Sequence, residues 1–352
     1  MKGSSTSSNR WLTALPWMSL LIPSFSAAVV SNVPLFMTTA VDPNILYLVD
    51  DSGSMNFEVL PSDGANAAHG NPSYNWLGSV WDWDSLVWVP GNPTEARELC
   101  VGYNVLAYDP AKKYTTWTGS DSDGTPYSDQ SHTAARINPY SSSGTTDLSG
   151  HIYFTWSDSN SNGVYDSGEC GEPASGSTLY GSGISATECG TLSQCVTVNS
   201  LSSTEQTNYA NWYSYYRKRD YVVKHALSRV FTDSTYRLGL ATLHHNNDVG
   251  SEIKDVSDAS NKSALMTNLF KIKPQKGTPL RQTLARAGDY YEGSNSSGVK
   301  ALFNVNSDGT TPASPILSAA NGGECQKNYT VLMTDGKWNG SDPSVGNADG
   351  DN

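Results

Sequence analysis

Ile45-Leu46-Tyr47-Leu48-Val49-Asp50-Asp51-Ser52-Gly53-Ser54 joins five consecutive apolar residues directly to a polar, glycine-containing loop. An apolar run of that length, without alternation, predicts a strand buried on both faces, as in a parallel sheet covered by helices. The loop reads D-x-S-x-S: Asp50, Ser52 and Ser54 stand at every second position, so three oxygen-bearing side chains can turn toward one point.

Downstream of this strand the pattern changes twice. Residues 56–203 carry Trp76, Trp81, Trp83, Trp88, Trp117 and Trp156 amid Gly, Pro, Ser and Asn, with turn signals about every ten residues. We read them as a β- and loop-rich insertion with its own small core, in which Val101–Tyr108 and His151–Trp156 are strand-like. Helical patterning returns at the capping-box pattern Ser202-x-x-Glu205, followed by Tyr209, Trp212, Tyr213, Tyr216, Val223, Leu227 and Val230. Arg217, Lys218 and Arg219 interrupt that stripe, which predicts a bend, and they read as a solvated basic face. Arg237–Leu243 suits a buried strand, Ser251–Val256 an antiparallel return, Lys262–Phe270 a helix, and Tyr329–Thr334 a last apolar strand ending at Asp335-Gly336. Thr278-Pro279 suits a helix start, with Thr as cap and Pro at the first helical position. With the insertion set aside, strands and helices mostly alternate. That order predicts an α/β fold with a doubly wound sheet, whose ligands gather at the carboxyl ends of the strands.

Upstream, residues 1–28 read as a secretory signal: Lys2 and Arg10, then the apolar Trp11–Ile22, then the small residues Ser26-Ala27-Ala28. The apolar run is too short to span a bilayer, and no later segment is long enough. An exported chain meets an oxidising compartment, so Cys100, Cys170, Cys189, Cys195 and Cys325 are expected to form disulfides, with one thiol left over. Their connectivity is open, and the absence of a C-x-x-C pair argues against a zinc ribbon.

Asp plus Glu outnumber Lys plus Arg 34 to 22, a formal net charge of −12, which argues against a nucleic-acid binder that must neutralise phosphates. Aromatic residues make up 10% of the chain, enough buried surface to exclude wholesale disorder.

Thr278 and Asp335 fall at the start of a helix and the end of a strand, so the topology can bring them to the D-x-S-x-S loop. Asp50, Ser52, Ser54, Thr278 and Asp335 then supply two carboxylates and three hydroxyls, hard oxygen donors suited to Mg²⁺, which keeps several waters and rarely takes an all-protein cage. In this the chain resembles the von Willebrand factor A domain and its metal-ion-dependent adhesion site. The resemblance rests on D-x-S-x-S after an apolar strand, Gly277-Thr278-Pro279-Leu280 and Thr334-Asp335-Gly336. It implies that Ser52, Ser54 and Thr278 ligate Mg²⁺ (or Mn²⁺ or Ca²⁺) directly, that Asp50 and Asp335 act through waters, and that a partner's acidic group completes the shell. Asp51 is read as a neighbour of the site.

A second set is legible inside the insertion. Asp158, Asn160 and Asn162 occupy positions 1, 3 and 5 of a twelve-residue calcium loop, with Gly163 at 6, the Val164 carbonyl at 7, Asp166 at 9 and Glu169 at 12. The incoming segment is strand-like, so the expectation is an isolated EF-like Ca²⁺ loop, not an EF-hand helix pair. Asp349-Gly350-Asp351-Asn352 resembles the start of another such loop.

Pro43-Asn44-Ile45 leading into Asp50–Met55, the insertion that follows at once, and Cys325-Gln326-Lys327-Asn328 before the last strand look like the N-terminal part of the PilY1-type proteins found at type IV pilus tips. This divides the chain into a signal peptide (1–28), the start of an A domain (29–55), the insertion (56–203) and the remainder of the A domain (204–352). The last part reads as cut before its final strands, which would leave the Tyr329–Thr334 strand with an open edge. The resemblance implies a surface-exposed or extracellular, outer-membrane-associated adhesin at the pilus tip, with minor pilins and an acidic host-cell or matrix ligand as partners. It also implies a part in pilus assembly and twitching motility; a purely structural assembly factor is the alternative. No H-E-x-x-H, P-loop or G-x-S-x-G motif occurs, the second Asp-Ser-Gly that an aspartic protease would need beside Asp51-Ser52-Gly53 is Asp166-Ser167-Gly168, which follows a polar turn and fits the calcium loop better, and the adjacent His244-His245 suit a surface or partly buried strand end, so no catalysis is expected.

Overall fold

The apolar run at 45–49 forms β1 (Asn44–Val49), and Leu46 and Leu48 are wholly buried. Burying each such leucine contributes roughly 1.5–3 kcal/mol. The computed structural model describes residues 41–60, 62, 96–171, 184–244, 249–305, 309–336 and 338–345, all within the unit Val41–Asn352. The signal-peptide reading, Trp76, Trp81, Trp83, Trp88, His245 and the 349–352 loop lie outside those residues.

After β1 come β2 (Ala135–Arg136), β3 (Thr145–Thr146), β4 (Ile152–Phe154), α1 (Ala186–Cys189) and β5 (Cys195–Thr197). They are followed by α2 (Ser203–Tyr215), α3 (Arg219–Asp233), β6 (Arg237–Thr242), β7 (Ser251–Asp255), α4 (Ala259–Lys271), α5 (Leu280–Glu292), α6 (Ser296–Leu302) and β8 (Asn328–Met333).

Among the described residues the main sheet has the order β7-β6-β1-β8. β1 is parallel to both neighbours, and Val49 is level with Thr242 of β6 and Met333 of β8. Three strand ends therefore open at the same height. β7 returns antiparallel to β6, as its sequence predicts. Alternate residues of β1 face opposite sides. Tyr47 and Val49 join a core with Leu227 and Phe231 of α3 and Leu265, Leu269 and Phe270 of α4. Leu46 and Leu48 join another with Ala287 and Tyr290 of α5 and Val299 and Leu302 of α6. Helices thus cover both faces of a mixed, largely parallel sheet: the fold is α/β. β8 stands at the edge of this sheet, with Tyr329 and Val331 exposed.

The capping box forms as read: Ser202 accepts from the Glu205 amide, and the Glu205 carboxylate accepts from the Ser202 amide. The predicted bend falls between α2 and α3. Three expectations are corrected. Val101–Tyr108 is a run of turns, not a strand, organised by the buried Asn104, whose amide donates to the Glu58 and Glu98 carbonyls and whose oxygen accepts from the Leu60 and Leu106 amides. Thr278 does not cap α5: Pro279 holds the cap position with no side-chain bond, and the helix starts at Leu280. The solvated basic face is absent, because Arg217 and Lys218 are buried at 1% and 6% exposure.

The insertion builds its own cluster around Cys100, Tyr103, Ile152, Phe154, Tyr165, Cys170 and Cys189, stapled by the disulfides Cys100–Cys170 and Cys189–Cys195. Gly102 is needed there, since a Cβ would lie 2.5 Å from the Trp156 ring. The insertion also merges with the main core. Trp117 stacks on Phe270 of α4 with centroids 5.3 Å apart, and its indole N–H donates to the Tyr215 carbonyl of α2. Cys325 is an exposed free thiol. No helix among the described residues is long and apolar enough to cross a membrane.

Candidate metal centre

The level ends of β1 and β8 place Asp50 beside Thr334. Asp50 is wholly buried and its Oδ1 accepts from the Ser52 amide at 2.8 Å, while its Oδ2 accepts from the Thr334 hydroxyl at 2.7 Å. Both donors are neutral, and among the described residues no Lys or Arg pairs with this carboxylate. The Ser52 and Ser54 hydroxyls lie 3.0 Å apart, Ser52 at the N-cap of a 3-10 turn that runs from Gly53 to Asn56 and Ser54 inside it. Asp50, Ser52 and Ser54 thus all follow the end of β1, with the two serine hydroxyls in contact with each other.

The stretch before α5 is stitched to this loop by two backbone bonds, Gly53 N–H to the Lys276 carbonyl (3.0 Å) and Gln275 N–H to the Asp51 carbonyl (2.6 Å). Thr278 follows two residues later, 5% exposed, its amide donating to Asn339 Oδ1 at 2.7 Å. Asn339 returns a bond from its own amide to the Thr278 carbonyl. Asp51 Oδ1 accepts from the His244 amide, just past the end of β6, at 2.8 Å.

Asp335 is the member of the set that is drawn elsewhere. Its Oδ2 accepts from Arg219 Nη1 at 2.5 Å, in a pair largely shielded from water. Sequence reasoning missed Arg219, Thr334 and Asn339. Thr334 adjoins a predicted ligand, but Arg219 lay in a basic run whose burial has no local signal.

The loop at 158–169 is ordered by its own polar groups. Gly163 N–H donates to Asp158 Oδ2 at 2.8 Å, and Asn162 N–H donates to both Asp158 Oδ1 and Asn160 Oδ1. Val164 N–H donates to Asn162 Oδ1, and the Asn160 and Asn162 amides both donate to Asp166 Oδ2. Gly163 sits at φ 72°, a left-handed conformation that glycine adopts without strain. Glu169 is held by the Asp166 amide, the Trp156 indole, and the Ser159 amide and hydroxyl. Those donors, the Asp166 amide foremost, keep its carboxyl down at about 2. Asp158, Asp166 and Glu169 do not converge into one carboxylate cluster, and no group of three or more His, Cys, Asp or Glu placed to hold a metal occurs among the described residues.

The comparisons with known proteins point one way. The chain is 27% identical over 350 residues to the type IV pilus biogenesis factor PilY1 of Pseudomonas aeruginosa strain UCBPP-PA14, covering 95% of this chain and 27% of that protein. It is 28% identical over 345 residues to PilY1 of strain PAK, covering 92% of this chain and 26% of that one. The chain is thus PilY1-like along nearly its whole length, while it spans about a quarter of the length of the curated relatives it matches. No family model matches the chain. No solved structure matches it.

Proposed function

We propose that this chain contributes a von Willebrand factor A-type, cation-dependent binding site to a type IV pilus-tip adhesin, and that it works without catalysis. The observation that carries the reading is Asp50: a buried carboxylate bonded, among the described residues, to neutral donors, at a strand end where two serine hydroxyls already lie together. Such a group favours a nearby cation. Asp50, Ser52, Ser54, Thr278 and Asp335 would hold Mg²⁺, Mn²⁺ or Ca²⁺, and the ion would offer a Lewis-acidic position to a carboxylate on a host-cell or matrix ligand. The loop of Asp158, Asn160, Asn162, the Val164 carbonyl, Asp166 and Glu169 would hold Ca²⁺. The two disulfides suit an exported, surface-exposed chain.

The experiment compares surface binding by cells carrying wild type or Asp50→Asn, in Mg²⁺ and in EDTA, normalised to pilus number. Binding that falls with EDTA and with the variant supports the adhesin. Equal binding by both in Mg²⁺ rejects it.

The relatives' designation as type IV pilus biogenesis factors favours a second reading in which the site stabilises a structural part of pilus assembly through contacts with minor pilins. On that reading deletion lowers pilus number, and with it twitching motility, while binding per pilus is unchanged.

A further inference from the structure

Three consecutive basic residues at the break between α2 and α3 grip the segment that leaves the D-x-S-x-S loop. Lys218 Nζ donates to Asn56 Oδ1 at 2.8 Å, and Arg217 Nε to Glu58 Oε1 at 3.0 Å. Arg219 does most: its amide donates to the Phe57 carbonyl at 3.2 Å, and its Nε and Nη2 both donate to the Val59 carbonyl, at 3.2 and 2.6 Å. Its guanidinium also lies 5.3 Å from the centroid of the Phe57 ring. The remaining nitrogen, Nη1, bonds Asp335 Oδ2 at 2.5 Å. One guanidinium therefore bridges a carboxylate at the end of β8 and the first stretch of the insertion.

We propose that Arg219 couples the strand-end cation site to the insertion by competing with the cation for Asp335. This rests on the reading of that site as a cation site. A fixed positive charge beside a ligand carboxylate both occupies it and repels a second cation, in surroundings where water screens little. Competition for one group is reciprocal. Whatever Asp335 gives to the bound cation is lost from its bond to Arg219, and a pull on segment 56–59 that withdraws Arg219 frees Asp335 for the cation. The site and the entry to the insertion are then two ends of one clasp. Arg219 is a positioning residue here, because it acts through Asp335.

The test is Mn²⁺ titration of the full chain, followed by electron paramagnetic resonance. Arg219→Gln, which removes the charge but keeps donors for Val59, is expected to bind Mn²⁺ about tenfold tighter than wild type, a coupling of ordinary size. Arg219→Lys, which keeps the charge, is expected to stay within about twofold of wild type. The binding counted is the part that Asp50→Asn abolishes. Equal or weaker binding by Arg219→Gln, alongside wild-type binding that Asp50→Asn removes, overturns the competition and leaves the site standing. No Asp50-dependent binding in either chain overturns the site reading and the coupling with it. A second measurement needs no Arg219 variant: hydrogen exchange in the peptide covering 56–60 of wild type should quicken at least about threefold on saturation with Mn²⁺, as local opening becomes easier. Unchanged exchange in that peptide overturns the proposal.

Discussion

The Thr334 hydroxyl donates to Asp50 Oδ2 across 2.7 Å, tying the ends of two adjacent parallel strands together above the sheet. Asp50 thereby serves the fold as well as the proposed site, and the two roles separate by substitution. Asp50→Ala leaves the Thr334 hydroxyl and the Ser52 amide without their acceptor and should cost about 3 kcal/mol. Asp50→Asn keeps an acceptor and should cost about 1 kcal/mol, yet it loses the charge that favours a cation. Urea unfolding of the two variants beside wild type checks the difference.

Calcium should raise the thermal midpoint through the 158–169 loop. Asp158 holds the Gly163 amide and Glu169 holds Ser159 and Trp156, so the loop stands partly ordered before an ion arrives. Titration calorimetry should show the Asp158→Ala plus Glu169→Ala protein binding one Ca²⁺ fewer than wild type. An unchanged stoichiometry rejects the assignment.

The two disulfides should differ in weight. Cys100–Cys170 links residues 70 apart and Cys189–Cys195 links residues 6 apart. Chain-entropy arguments give losses of about 4 and about 2 kcal/mol on removal, respectively. Paired Cys→Ser variants compared by chemical denaturation would test that ranking.

His151 sits beneath Tyr209 and Tyr213, and its Nδ1 lies 3.3 Å from the Tyr209 hydroxyl. Burial, and then the nearby Arg217 charge, push its imidazole down to about 3 from 6.5. The folded chain therefore keeps it neutral where the unfolded chain takes up a proton. Its contribution to stability is constant above pH 6.5 and falls as pH drops from 6.5 toward 3, by at most about 1.4 kcal/mol per pH unit. His151→Gln should flatten the curve in that window, as measured by unfolding at stepped pH.

Arg217 is among the largest fully buried side chains and bonds Glu58 and the Tyr213 and Ile137 carbonyls. Arg217→Met should cost about 3–5 kcal/mol, because it strands Glu58 and two carbonyls. Adding Glu58→Gln should recover part of that loss. A double-mutant cycle that shows full additivity would mean the pair is not coupled.

Much of the sheet was legible because its signal is local. The unbroken apolar run of β1, the Ser202/Glu205 cap and the break at 216–218 all act within a few residues, and the structure keeps each. The turns at 101–107 were misread because Val, Tyr and Leu resemble a strand, while the group that organises them, Asn104, takes its partners from residues up to 46 positions away.

By itself, then, the sequence determined which residues carry oxygen-bearing side chains and that a buried strand delivers Asp50, Ser52 and Ser54 to one end. Spacing along a strand and its loop is a property of neighbours in the chain. Only the tertiary structure decided how those groups are partnered. It level-aligned β1 with β8 so that Thr334 meets Asp50, and it turned the basic run inward so that Arg219 meets Asp335 across 116 positions. The physical reason is that the charge on a side chain is set by its type, but whether that charge faces water, a carbonyl or a carboxylate is set by what packs over it.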